Sequence, residues 1–219
     1  MTSGAPPVVA LANAVVLSSG FPLLSGVDLA LAPGSLSVVT GANGAGKTSL
    51  LRLLAGLETL TSGSGTVAGI DLVEGDLRQL RRRVGWLGHE GSFYDDLSVQ
   101  ENLTFAARAL GRPTSDIASA VGRMGLVDRI NTPAKQLSAG QRRRLGLAWL
   151  LVRRPELWLL DEPYASLDDD GRTFFDGLLG DVVAAGATVV VSAHDPLRSP
   201  TLAPRTIVMA GGRIVGDGR

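Results

Sequence analysis

Apolar and polar residues alternate across residues 27–40 (VDLALAPGSLSVVT), and Pro33-Gly34 interrupts the alternation. This predicts two short strands joined by a Pro-Gly turn. Residues 41–57 (GANGAGKTSLLRLLAGL) begin as a glycine-rich loop and become a helix that ends near Gly56. A second short strand pair is expected over 64–72, a polar, Arg-rich helix over Asp76–Arg83, and a strand over Val84–Leu87. From Ser98 to Arg154 the pattern changes: apolar positions take helical spacing and strand signals nearly vanish. Helices are expected over 99–110, 114–124 and 139–153. The segments 157–160 (LWLL) and 188–193 (TVVVSA) read as buried strands on either side of a helix over 168–185. Residues 206–215 read as a hairpin with Gly211-Gly212 at its turn.

Strands alternating with helices predict an α/β core with a mainly parallel sheet. The helical middle reads as an inserted subdomain of about 60 residues. One domain is expected, with 1–88 and 155–219 as the α/β core and 89–154 as the insert.

Composition narrows the chemistry. The 219 residues include no Cys, which excludes disulfides, a Cys-ligated metal and a Cys nucleophile. Twenty-one basic and 21 acidic side chains balance to zero net charge, which argues against a nucleic-acid binder. The Arg runs 81–83 and 142–144 are expected to be solvated helix faces. Only two of the basic residues are Lys, Lys47 and Lys135, so a lysine inside a motif is conspicuous. The longest fully apolar run is about eight residues, against the roughly 20 of a spanning helix. The first charged side chain is Asp28, so the N-terminus lacks the basic start of a secretory signal. A cytoplasmic chain is expected, held at a membrane only through a partner.

Gly41-Ala-Asn43-Gly44-Ala45-Gly46-Lys47-Thr48 fits GxxxxGK(S/T) without a gap, followed by Ser49. Glycines let successive backbone N–H groups turn inward around phosphate oxygens, and the helix that follows presents its positive end. Lys47 is placed to reach the β- and γ-phosphates of a nucleotide, and the Thr48 hydroxyl to ligate Mg²⁺. Leu157–Leu160 is an apolar strand ending in Asp161 and Glu162. A carboxylate at the end of a buried strand suits Mg²⁺, and Glu162 is a candidate general base for the attacking water.

The phosphate loop alone is shared by kinases, GTPases and transport ATPases. Leu137-Ser138-Ala139-Gly140-Gln141, however, resembles the LSGGQ signature of the ABC ATPases, with Ala139 in place of one Gly. The order of phosphate loop, helical insert, signature, paired acids, Ser166-Leu167-Asp168 and then His194 is also the order of that family. The resemblance implies a P-loop NTPase core of the RecA-like type, an inserted helical subdomain and an antiparallel β subdomain. It implies a head-to-tail dimer, with a second copy or a related ATPase subunit, that clamps ATP and Mg²⁺ between the phosphate loop of one subunit and the signature of the other. Ser138, Gly140 and Gln141 are then expected at the γ-phosphate held by the partner subunit, and Asp168 at the interface. His194 is expected on the γ-phosphate, keeping the water and Glu162 in register. Ser138 also reads as an ordinary helix N-cap, and both roles can hold together.

Two positions depart from the family pattern. His89 stands where the family places a Gln that meets water, metal and phosphate, so a nucleotide or Mg²⁺ contact and a structural role both remain open. No aromatic stands at the usual adenine platform, and Phe21 is the nearest: it stacks on the base or packs in a strand edge. Trp86, Phe93 and Tyr94 either line a docking groove for a membrane permease or pack in the core. The loop helix, the strand ending Trp86-Leu87-Gly88-His89 and the signature with its three Arg resemble the ATP-binding subunits of haem exporters used in cytochrome c maturation. The implied function is an ATPase subunit that couples dimer closure to an integral-membrane permease, with no nucleic-acid partner. The alternative is an ABC-type ATPase not coupled to transport.

Overall fold

A computed structural model describes residues 5–88, 93–165, 167–194 and 202–218. The chain divides into two units, residues 1–84 with 156–219, and residues 85–155. The second unit starts inside the strand Val84–Leu87 because that strand's later residues pack within it. A Cβ on Gly85 would lie 2.6 Å from the side chains of both Leu150 and Pro155.

The chain forms two sheets, the first of them wholly within the first unit. An antiparallel sheet has the order β2-β1-β4-β5, built from β1 (Val9–Ser18), β2 (Phe21–Leu31), β4 (Ser62–Val67) and β5 (Ile70–Asp71). The strand β1 and the first half of β2 go beyond the sequence-based expectation. In β1 the buried positions run Val9, Leu11, then Ala14 and Val16, so the period-two pattern slips at Ala12-Asn13. Asn13 takes a positive φ of 48° there, and its N–H donates to Asp28 Oδ1 at 2.8 Å. Such a bulge hides a strand from any reading based on alternation. Ser19 and Gly20, with φ of 49° and 83°, close the β1–β2 hairpin with two left-handed residues.

The other sheet has the order β10-β9-β3-β8-β7-β6. It comprises β3 (Leu36–Thr40), β6 (Val84–Leu87), β7 (Leu157–Leu160), β8 (Thr188–Ser192), β9 (Arg205–Ala210) and β10 (Arg213–Gly218). Strand β3 runs parallel to β8 and β9, and β7 parallel to β8. All residues of β7 and β8 are buried, as continuous apolar strands require when both faces are covered. Parallel strands bring their carboxyl ends to one edge, so the chain leaves β3 at Gly41, β7 at Asp161 and β8 at Ala193 side by side. In open α/β sheets that edge is where ligands bind. The helices of the first unit are α1 (Lys47–Leu54), α2 (Leu77–Arg83) and α6 (Asp169–Ala184).

The second unit is helical, with α3 (Val99–Ala109), α4 (Asp116–Arg123), α5 (Ala139–Arg153) and two short 3-10 turns. Helices α3 and α5 each begin with a capping box, Ser98 with Glu101 and Ser138 with Gln141. Asn102 is fully buried and satisfied: its amide donates to the carbonyls of Tyr94, Leu97 and Ser98, and its oxygen accepts from the Tyr94 N–H.

Arg81, Arg82, Arg83 and Arg144 are exposed, as solvated helix faces require, while Arg142 and Arg143 are half-buried; several of these side chains also make hydrogen bonds. Arg81 donates to Gly56 O and Arg83 to Ala68 O; Arg142 donates to Ala134 O, pairs with Asp95 and lies over the Phe93 ring. These guanidinium groups tie loops together from the surface.

Candidate functional site

Gly41 to Gly46 form the loop between β3 and α1. Gly46 is the N-cap of α1 at φ 101°, a conformation open to glycine, and it carries no side chain to occupy the helix end. The N-terminal N–H groups of α1 therefore stay directed outward with the helix's positive end behind them. Lys47 is 5% exposed, and its ammonium donates to the carbonyls of Gly41 at 2.7 Å and Ala42 at 3.2 Å. A cleft of about 370 Å³ opens over this loop, lined by residues 43–49 together with Glu162, Pro22, Leu23 and the Gly211-Gly212 turn.

The two acids arrive at the loop from β7. Asp161 is 1% exposed and has a partner on each oxygen. Its Oδ2 accepts from the Thr48 hydroxyl at 2.9 Å and its Oδ1 from the Ser192 hydroxyl at 2.5 Å. Thr48 Oγ1 and this carboxylate make a compact set of hard oxygen donors, the kind that Mg²⁺ takes alongside phosphate oxygens and water. Glu162 is a third exposed, and Oε1 lies 4.0 Å from Lys47 Nζ. Its backbone is held at φ 48°, an uncommon conformation for a residue with a side chain, and its N–H donates to Ser192 Oγ at 2.8 Å. The strained turn aims the carboxylate into the cleft while its buried neighbour stays on Thr48. Two residues on, the buried Tyr164 donates to Asp176 at 2.6 Å and packs edge-on against Phe175, which anchors the loop to α6. Burial, with the Asp176 hydrogen bond, pushes the Tyr164 phenol above its ordinary value, so it remains a donor.

The structure thus brings Gly41, Asn43, Gly44, Ala45, Gly46, Lys47, Thr48, Ser49, Asp161 and Glu162 together in one place. Other expected site residues stand elsewhere. Phe21 is 76% exposed at the tip of the β1–β2 hairpin, so it is no core residue; its neighbours Pro22 and Leu23 line the cleft. His194 is exposed just beyond β8, two residues after Ser192. Asp168 caps α6, accepting from the Gly171 N–H at 2.8 Å. Ser138 and Gly140 are exposed at the head of α5, where Ser138 Oγ accepts from Gln141 N–H and Gln141 Oε1 from Ser138 N–H. That cap leaves the serine O–H available to donate. His89 and Ser166 lie outside the described residues. In the helical unit Tyr94 is exposed and meets Phe105 edge-on at 5.0 Å, while Phe105 lies 6.3 Å from Trp149.

Ser192 escapes the sequence-based reading. Its one signal is a hydroxyl at the carboxyl end of an otherwise apolar strand, two residues before His194. Pro22, Leu23 and the Gly211-Gly212 turn reach the cleft only through the folding of distant strands.

Residues 24–165 match the family model described as ABC transporter. The cytochrome c biogenesis ATP-binding export protein CcmA of Cupriavidus necator is 41% identical over 190 residues, covering 86% of this chain and 83% of the relative. Its namesake in Nitrosomonas europaea is 37% identical over 214 residues, covering 96% of this chain and all of the relative. Among solved structures, a dimeric ATP-binding cassette in a post-hydrolysis state with ADP and Pi has a TM-score of 0.88 at 24% identity, covering 96% of this chain and 98% of that one. A Clostridium perfringens protein described as part of the ABC transporter complex cbiONQ has a TM-score of 0.83 at 25% identity, covering 98% and 89%.

Proposed function

The chain belongs to the ABC transporter family, and from that premise we propose that it is the ATP-binding and ATP-hydrolysing subunit of an exporter serving cytochrome c biogenesis. It is an ABC-type ATPase homologous to the CcmA export proteins. The observation that carries the catalytic reading is the convergence of Thr48, Asp161, Ser192 and Glu162 beside the phosphate loop.

ATP enters with its phosphates over residues 43–48. The Lys47 ammonium exchanges the carbonyls of Gly41 and Ala42 for β- and γ-phosphate oxygens, a short movement for a flexible point charge. The Thr48 hydroxyl and Asp161 would hold Mg²⁺, which when bound would neutralise charge on the phosphates. Glu162, aimed into the cleft by its strained backbone, takes the proton of the attacking water. His194 orients that water. Ser138 and Gly140 of a second copy, with the positive end of α5, close over the γ-phosphate. Asp168 sits at the interface between the copies.

Closure around two ATP molecules favours one dimer state, and hydrolysis releases it, so ATP shifts a two-state equilibrium. Among the described residues, no helix is long and apolar enough to cross a membrane. The work is delivered through an integral-membrane permease, which places the chain on the cytoplasmic face of the membrane. The relatives are named for cytochrome c biogenesis, and the sequence resemblance points to haem as cargo.

Glu162→Gln tests the reading. Hydrolysis should fall by about 10²-fold or more, while ATP still binds and accumulates a dimer visible by size-exclusion chromatography. Turnover at the wild-type rate removes Glu162 from the role of base. Co-purification with a polytopic membrane protein supports transport.

A further inference from the structure

We infer that the Gly211-Gly212 turn of the β9–β10 hairpin is a positioning element for the phosphate loop, setting the peptide plane that presents the Gly46 N–H to a nucleotide phosphate. The inference rests on the ATP-binding reading of that loop. The turn lies beyond residues 24–165, which match the family model.

Two hydrogen bonds carry it. The Gly212 N–H donates to the Ala45 carbonyl at 3.0 Å. A trans peptide sets its C=O and N–H in opposite directions. With the Ala45 oxygen held by the turn, the Gly46 N–H on the same peptide points away from the turn, and Gly46 is the residue that caps α1. The Gly212 carbonyl, in turn, accepts from the Ser25 N–H at 2.9 Å, which ties the turn to β2. One residue thereby joins the strand that supplies Pro22 and Leu23 to the loop that meets the phosphates, and both sides line the same cleft.

The packing leaves no slack. A Cβ on Gly46 would lie 3.0 Å from Leu23 O and 3.2 Å from Gly212 Cα. A Cβ on Gly212 would lie 2.8 Å from Leu23 O and 3.2 Å from Leu24 Cα, both backbone atoms, and Gly212 has a φ of 73°. Any larger residue must push the turn off β2 and so release the Ala45 carbonyl.

Gly212→Ala is the test, with Gly186→Ala as its control. Gly186 has a φ of 94°, and a Cβ there meets nothing within 4 Å, so the control carries left-handed strain without touching the loop. Gly212→Ala should weaken ATP binding about tenfold or more and raise the KM for ATP more than it lowers kcat. Gly186→Ala should lower the thermal midpoint and keep wild-type affinity. Wild-type affinity in Gly212→Ala, or equal loss in both variants, overturns the inference. Lys47→Ala separates the two levels: if it binds ATP as wild type does, the reading of the loop itself fails. If Gly212→Ala does not fold, amide exchange of wild-type residues 205–218 decides. Slower exchange when ATP is added supports the coupling, and unchanged exchange overturns it.

Discussion

Asp161 is held by Thr48 across 113 residues of chain and by Ser192 across 31, whereas Ser138 and Gln141 hold each other across three. In the proposed dimer each nucleotide would meet the first group of one copy and the second group of the other. The first is assembled from the ends of strands β3, β7 and β8 and exists only once the parallel sheet has formed. The second is a capping box that forms with its own helix. Damage at a strand-end group therefore spreads into the sheet, whereas damage at the helix cap stays local.

Ser192→Ala probes the non-local side and should have a larger effect than any change to the helix caps. It strips the donor from Asp161 Oδ1 and the acceptor from the Glu162 N–H. ATP turnover should fall by about tenfold, and stability by about 1–3 kcal/mol because the abandoned Asp161 carboxylate is buried, measurable by denaturant titration. Full activity with full stability would show that the carboxylate is positioned by Thr48 alone.

Ser138→Ala and Ser98→Ala probe the local side as a pair. Each removes an N-cap from a capping box in the same unit, so each should lower stability by about 1 kcal/mol. Only Ser138→Ala should also depress ATP hydrolysis beyond what its lost stability explains. Equal activity in the two variants would reduce the signature serine to its capping role.

The smallest effect separates the two boxes by charge. Glu101 accepts from the Ser98 N–H and hydroxyl, which holds its carboxyl below the ordinary value. A depressed pKa adds stability that is present above the unfolded value and lost as pH falls through the folded value. Gln141, in the equivalent place, does not titrate. Lowering the pH from about 6 to about 3 should loosen the start of α3 and leave the start of α5, read by residue-resolved amide exchange. The neutral amide would also suit the proposed seat of a phosphate at the start of α5.

The phosphate loop, the acids after β7 and the signature were legible because each is a run of neighbouring residues whose geometry is local. Strand β7 was legible as a continuous apolar run and β8 by its three consecutive valines. Strand β1 was hidden by the bulge at Asn13, and the carbonyls that accept from Arg81, Arg83 and Arg142 leave no mark in a sequence, although the exposure of Arg81–Arg83 did. Phe21, the nearest aromatic, lies on the exposed hairpin tip, while Pro22 and Leu23 line the cleft.

By itself the sequence determined the glycine loop that leads into α1, the capped start of α5, the α/β alternation and the family. These follow from side-chain volume, backbone freedom and hydrogen bonds spanning a few residues. Tertiary structure alone decided that Ser192 holds Asp161, that Glu162 is turned against its backbone preference, and that a glycine turn near residue 212 braces a loop at residue 45. Those relations join atoms far apart in the chain. Strand order and register bring them together, and no run of neighbouring residues encodes them.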